Sequence, residues 1–452
     1  MMGTRLGPRR PLSGKGAGFL YVSLRDRPGG AAGQLTETPV RRVATTVVLL
    51  GIVSLLTDVS SEMVSAVLPL YLTAQVGLGF LAYGFIDGMY QGVSALVRIL
   101  GGYAGDRRNQ PKWVAVVGYG FSAASRLALL PAHGLVSITA VISADRLGKG
   151  LRTAPRDALI ADASEPSMLG RSFGVHRTLD TAGAAVGPLV AFALLAAVPG
   201  SYNSVFVASF AFAVVGVAVL VLFVPNRRTN RGDTRIGLRR LAREITGPRL
   251  RRPLVAAALL GVLTVGDGFL YLSLQQRDNL AATLFPLLYV GTNIAYLCLA
   301  IPIGRLADRV GRARVLVGGH LALIAVYLCA GGPLTGVTGT VLVLILLGTY
   351  YAATDGVLPA LVSRLVAADA RGSGIAAAQT VVALARFASS LAFGSLWITV
   401  GRAHALLVVA AVLAAAVPVA WWLLRPSDRP LDQPSDQPAD QPADQPADRV
   451  AS

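Results

Sequence analysis

IGRLADRVGRAR occupies Ile303–Arg314, and a shorter version, GGYAGDR, occupies Gly101–Arg107. Each follows a long apolar run, so each reads as a polar loop where the chain leaves a membrane. Asp106 and Asp308 stand 202 residues apart. Other pairs keep nearly the same interval: Arg171-x-x-Gly174 with Arg371-x-x-Gly374, and Ala158-Leu159 with Ala360-Leu361. The chain is therefore a repeat of one unit, and the number of spans in that unit sets the architecture.

Composition places those spans in lipid. Of 452 residues 54% are hydrophobic and only 14% charged, with mean hydropathy +0.59; an ordinary soluble domain carries roughly 25% charged residues. Runs such as Phe206–Val224 and Ala405–Leu424 are uncharged, and a helix needs about 20 apolar residues to cross a hydrocarbon core of about 30 Å. Spans are expected near 44–72, 80–104, 113–131, 135–156, 172–197 and 203–224, then near 253–275, 281–305, 314–331, 336–358, 373–400 and 403–424. This predicts an all-α polytopic membrane protein of twelve transmembrane helices in two six-helix halves, repeated in the same direction. The expected segments are a disordered basic tail (1–42), the first half (43–224), a basic linker (225–252), the second half (253–425) and a disordered tail (426–452). Residues 1–42 lack the apolar core of a signal peptide. The linker contains an amphipathic stretch, Ile236–Ile245, suited to a membrane surface. The last tail repeats QPAD, a composition that cannot build a core.

Net charge is +17, but the arginines collect in one set of loops, at Arg41, Arg107, Arg171, Arg227, Arg305, Arg312 and Arg371 among others, while loops such as Ala74–Gly79 and Pro131–Gly134 carry almost none. This is the positive-inside pattern. It predicts a cytoplasmic-membrane location with both termini cytoplasmic, and no nucleic-acid partner. Cys298 and Cys329 sit in apolar runs and read as inert core thiols. No cysteine–histidine metal pattern and no nucleophile–base constellation is present, so neither a cofactor nor an enzyme is expected.

Gly304-x-x-x-Asp308-Arg309-x-Gly311-Arg312-x-Arg314 resembles the loop motif of the major facilitator superfamily, and the resemblance extends over roughly residues 43–424. The first copy keeps Gly102, Asp106 and Arg107 but has Asn109 where the family has glycine. The resemblance implies that these loops latch one side of the protein shut, with the glycine letting two spans approach and the aspartate pairing across to the other half. The plainer reading of the arginines is a solvated loop. Two further patterns are similar to family motifs. Arg146, Gly150 and Ala154 match a span-4 pattern in which Lys149 and Arg152 replace a Gln and a Gly; there the family role of the arginine is proton coupling. Gly183-x-x-x-Gly187-Pro188 matches a span-5 pattern that marks the antiporter branch, without its trailing glycines. Physically, small residues four apart permit close helix packing and the proline bends the helix.

Charge inside a span is expensive and points to function. In ADRLGKGLRTAPRDALIAD (Ala144–Asp162), Asp145, Lys149, Arg152 and Arg156 fall on one stripe at 100° per residue, flanked by Arg146, Thr153 and Asp157. Asp58 and Glu62 share one face of span 1 and are the expected partners of Arg146 and Lys149. Asp58, Glu62, Arg146 and Asp180 are therefore the candidates for proton coupling. Lys149, Arg152, Asp267, Asp355 and Arg386 are the candidates for a substrate cavity. Asp87, Arg98 and Arg126 are further interior charges, and Tyr90, Tyr271, Tyr350 and Tyr351 offer hydrogen bonds or stacking. His176 reads as interfacial.

These features predict a monomeric secondary transporter in contact with membrane lipid, exporting a small organic molecule against protons. A second reading is a proton symporter importing a metabolite, including an anionic one held by Lys149 and Arg152. A third, from another class, is a non-transporting sensor or scaffold, which would have no need of titratable interior acids.

Overall fold

The computed structural model describes residues 43–105, 111–226, 248–365 and 371–425. Both tails, Asp106, Arg107 and most of the 225–252 linker lie outside the described residues. The described residues form helices with no strand among them. The first half contains α1 (Thr45–Leu70), α2 (Phe80–Gly105), α3 (Pro111–Ala128), α4 (Gly134–Ala163), α5 (Leu169–Ala197) and α6 (Tyr202–Phe223). The second contains α7 (Pro248–Val262), α8 (Asp267–Asp278), α9 (Phe285–Val310), α10 (Arg312–Gly331), α11 (Gly336–Thr354), α12 (Val357–Leu365), α13 (Arg371–Val400) and α14 (Arg402–Leu424). They account for the twelve expected spans, because α7 with α8 make the seventh and α11 with α12 the tenth. Nine helical stretches among the described residues are long and apolar enough to cross a membrane. α2, α3 and α4 are not among them.

The packing repeats with the sequence. In the first half α1 lies along α5 and α6, α2 along α4, and α3 along α4 and α6. In the second, α7 lies along α13 and α14, α9 along α11, and α10 along α11 and α14. These are the same span-to-span contacts shifted by six. The halves meet through α2 against α13 and α5 against α9, two contacts that the repeat also exchanges. The outer surface is apolar: Val337 is 77% exposed and Leu222 72%, as lipid-facing side chains are. Cys298 is exposed and Cys329 half-buried. The expectation of two core thiols fails because Cys298 sits on the outer face of α9.

The break between α7 and α8 leaves backbone groups at Leu263–Gly266 without helical partners. Side chains supply them. The Tyr327 hydroxyl accepts from the Val265 N–H (2.8 Å) and donates to the Leu263 carbonyl (3.0 Å), while Ser389 Oγ donates to the Thr264 carbonyl (2.9 Å). Within a membrane such a break persists only where protein replaces the lost partners. It starts α8 at Asp267, which places that carboxylate in the protein interior.

Candidate functional site

Between the halves lies a cavity of about 970 Å³. At the end away from the basic loops it is closed by aromatic rings from both halves. Phe80 of α2 stacks on Trp397 of α13 with ring centroids 4.4 Å apart, and Tyr83 meets Phe269 edge-on at 4.7 Å. Phe269 in turn packs on Phe393 at 5.0 Å. Glycines allow this approach: a Cβ on Gly88 would lie 2.7 Å from the Phe387 ring, and one on Gly394 2.6 Å from the Phe80 carbonyl. Just above this seal Ser390 Oγ donates to Asp87 Oδ2 across the two halves at 2.6 Å. Toward the basic end the lining residues Arg177, Asp355 and Gln379 are exposed, so the cavity opens there.

The wall from the first half is charged. Arg146, Lys149, Arg152 and Arg156 of α4 line it, with Asp58 and Glu62 of α1 and Arg177 and Asp180 of α5. The expected partners interact electrostatically, Lys149 with Asp58 and Glu62 and Arg146 with Glu62, but the closest contacts are others. Arg146 bonds to its neighbour Asp145, and its guanidinium lies 3.7 Å from the centroid of the Tyr90 ring. Asp145 also holds Arg126 of α3 at 2.8 Å, so one buried carboxylate serves two buried guanidinia. Arg126 bonds Ser61 of α1 as well, at 3.0 Å. Asp58 lies 3.9 Å from Arg152 and within hydrogen-bonding reach of Asp180. Ser54 donates to Asp180 (3.1 Å) and accepts from Arg156 (3.1 Å), and Arg156 is held by Asp157 (2.9 Å).

Asp145 and Arg152 share an azimuth on α4, yet only Arg152 reaches the cavity. Both leave the helix on the side of α3, where a Cβ on Gly118 would lie 2.8 Å from the Arg152 backbone nitrogen. The short aspartate stays there. The longer arginine extends past α3, its guanidinium 4.5 Å from the Tyr119 ring centroid, as long cationic side chains do.

The wall from the second half carries Asp267, Asp355, Arg386, Tyr350, Tyr351 and His320. Tyr351 donates to Asp267, and Arg386 Nη2 donates to the Tyr350 hydroxyl at 3.3 Å. His320 is buried with its Nδ1 on the Leu316 carbonyl at 2.8 Å. Sequence reasoning missed His320, which stands among apolar neighbours on its helix, and Arg177, which lies three residues before Asp180 and pairs with it at 3.4 Å. It also read His176 as interfacial. The ring is buried, and its Nε2 has no hydrogen-bond partner.

The remaining motif residues are placed as follows. Gly183 faces the backbone of α1 at Leu55, and a Cβ on Gly187 would sit 2.7 Å from the Val59 carbonyl. With Pro188 in the same buried stretch of α5, these glycines seat α5 on α1. Gly311 joins α9 to α10 with φ 102°, a conformation that favours glycine. A Cβ on Gly304 would meet nothing within 4 Å, so the expected close approach of spans there is absent in this conformation. Asp308 pairs with Arg312 at 3.2 Å, and Arg312 bonds the Ala360 carbonyl at 2.6 Å. Both contacts stay within the second half. Arg309 is exposed, and Gly102 lies in the last turn of α2.

The family model of the Major Facilitator Superfamily matches residues 50–390 and again 278–446. An uncharacterised MFS-type transporter of Methanocaldococcus jannaschii, MJ1317, is 32% identical over 79% of this chain and 89% of its own. An uncharacterised protein of Mycobacterium tuberculosis, Rv2265, is 26% identical over 72% of this chain and 80% of its own. Among solved structures, the nucleoside transporter NupG superposes with a TM-score of 0.72 at 15% identity, covering 84% of this chain and 99% of that one.

Proposed function

The chain belongs to the Major Facilitator Superfamily and is a transporter rather than an enzyme, and we propose that it moves a small hydrophilic organic molecule across the cytoplasmic membrane by proton-coupled alternating access. One observation carries this reading: a charged cavity between two repeated halves, sealed by aromatic rings at one end and open at the other. With the basic loops cytoplasmic, the conformation is inward-facing and both termini lie in the cytoplasm. A wall of lysine, arginine and carboxylates suits a polar solute, since an apolar one would leave those groups without partners.

The preferred direction is export. The coupling proton resides on the Asp58, Glu62 and Asp180 group, which faces the same cavity as the solute. Protons load from outside when that face opens and leave to the cytoplasm as the protein returns. Gly183, Gly187 and Pro188, which join α5 to α1 beside these acids, supply the mechanical link. The second reading, import of an anionic metabolite by proton symport, is favoured by the cavity position of Lys149 and Arg152.

The test is solute movement in vesicles under an imposed pH gradient, run with a labelled panel. Uptake into inside-out vesicles with an acidic interior supports export, whereas accumulation only in right-side-out vesicles supports import. Asp58→Asn and Glu62→Gln are then compared in gradient-driven transport and in counterflow. Loss of the first with survival of the second assigns the proton to that carboxyl. Full gradient-driven transport by both variants moves the coupling site to Asp180.

A further inference from the structure

The two walls of the cavity carry opposite charge, and one arginine on the positive wall has a terminal nitrogen without a hydrogen-bond partner. Among the described residues that line the cavity, the first half supplies Arg146, Lys149, Arg152, Arg156 and Arg177 against Asp58, Glu62, Asp87 and Asp180. Bases are in excess by one there. On the facing side, among the described residues, Arg386 is the one arginine or lysine lining the cavity, against Asp267 and Asp355. Acids are in excess by one.

The positive wall also holds unused donors. Arg152 is only 3% exposed, yet its Nη1 has no hydrogen-bond partner. Its guanidinium carbon lies over the Tyr119 ring, 4.5 Å from the centroid, and Asp58 approaches its other terminal nitrogen no closer than 3.9 Å. A buried guanidinium N–H without an acceptor is unusual unless a ligand supplies one. Lys149, one turn away, also lines the cavity. Together they present a flat two-point donor and a mobile ammonium, the combination that suits a carboxylate.

From this we infer that the transported solute is dipolar: its carboxylate binds Arg152 and Lys149 on the first half, and its cationic nitrogen faces Asp355, with Asp267 behind, on the second. Such a solute touches both halves at once. A neutral one satisfies neither wall, and a purely anionic one is repelled by the second. The inference rests on the transport reading but concerns binding, so the two can fail separately.

The experiment uses the full-length protein in nanodiscs and reads ligand-induced shifts in unfolding temperature. The probes are three matched sets: γ-aminobutyrate, phenylalanine and alanylalanine, each with its N-acetyl form, which is only anionic, and its amide, which is only cationic. In at least one set the dipolar form should stabilise the protein and its two singly charged relatives should not. Lys149→Met should weaken that probe by about tenfold or more, the loss of one charged hydrogen bond, with each shift read against the ligand-free unfolding temperature of the same variant. Asp355→Asn should let the N-acetyl form bind as well as the parent. No stabilisation by any dipolar probe, stabilisation only by singly charged forms, or a Lys149→Met protein that binds normally would each overturn the inference. A dipolar probe that binds but does not cross vesicles would instead overturn the transport reading alone.

Discussion

Replacing Asp145 by Asn removes the one carboxylate that Arg126 and Arg146 share. The side chains of Arg126 and Asp145 are 4% and 5% exposed and sit 2.8 Å apart, so the Arg126 guanidinium cannot turn to water. Afterwards Arg126 keeps Ser61 and Arg146 keeps the face of Tyr90, both neutral. Removing one partner of a buried ion pair typically destabilises by about 3–5 kcal/mol, which lowers the folded-to-unfolded ratio by roughly two to three and a half powers of ten. Membrane abundance and the unfolding temperature in nanodiscs should both fall clearly. Removing a base as well, in Asp145→Asn with Arg126→Met, should recover part of the loss. By contrast Asp58→Asn, whose carboxylate faces the cavity and approaches Arg152 only to 3.9 Å, should leave abundance near wild type. If Asp145→Asn keeps wild-type abundance and unfolding temperature, Asp145 does not neutralise α3 and α4 as described.

Three further outcomes are expected. Gly187→Leu should force α5 away from Val59 on α1 and reduce abundance, while Gly304→Ala, with open space around it, should be indistinguishable from wild type in the same immunoblot. Asp308→Asn should slow turnover without lowering abundance if the loop latches the cytoplasmic side in the opposite conformation; wild-type turnover in vesicles would remove that role. Deleting Pro430–Ser452 should leave transport unchanged, and a properly inserted but inactive truncation would show that the QPAD repeat does more than solvate.

The spans and their repetition were legible because an apolar run long enough to cross a membrane is a strong and local signal. The two breaks were not drawn, although each carries a mark: Asp267-Gly268 and Asp355-Gly356 are turn-forming dipeptides inside apolar runs. The cavity residues were legible as interior charges. Their pairing was not, because a helical projection gives azimuth and ignores side-chain length, so Asp145 and Arg152 looked equivalent. Arg156 with Ser54 and Asp180 joins three helices, and no spacing along one helix could reveal it.

α4 has a consequence for how the protein is made. Asp145, Arg146, Lys149 and Arg152 lie in the middle of a 30-residue helix, and each such residue opposes entry of an isolated helix by about 2.5–3.5 kcal/mol. Together they set roughly 10–14 kcal/mol against insertion of α4 alone. The neutralising groups sit on α1 and α3, which emerge from the ribosome first. The newborn chain must therefore hold those earlier helices at the translocation channel until α4 arrives, and enter the bilayer as a hairpin or larger packet instead of one span at a time.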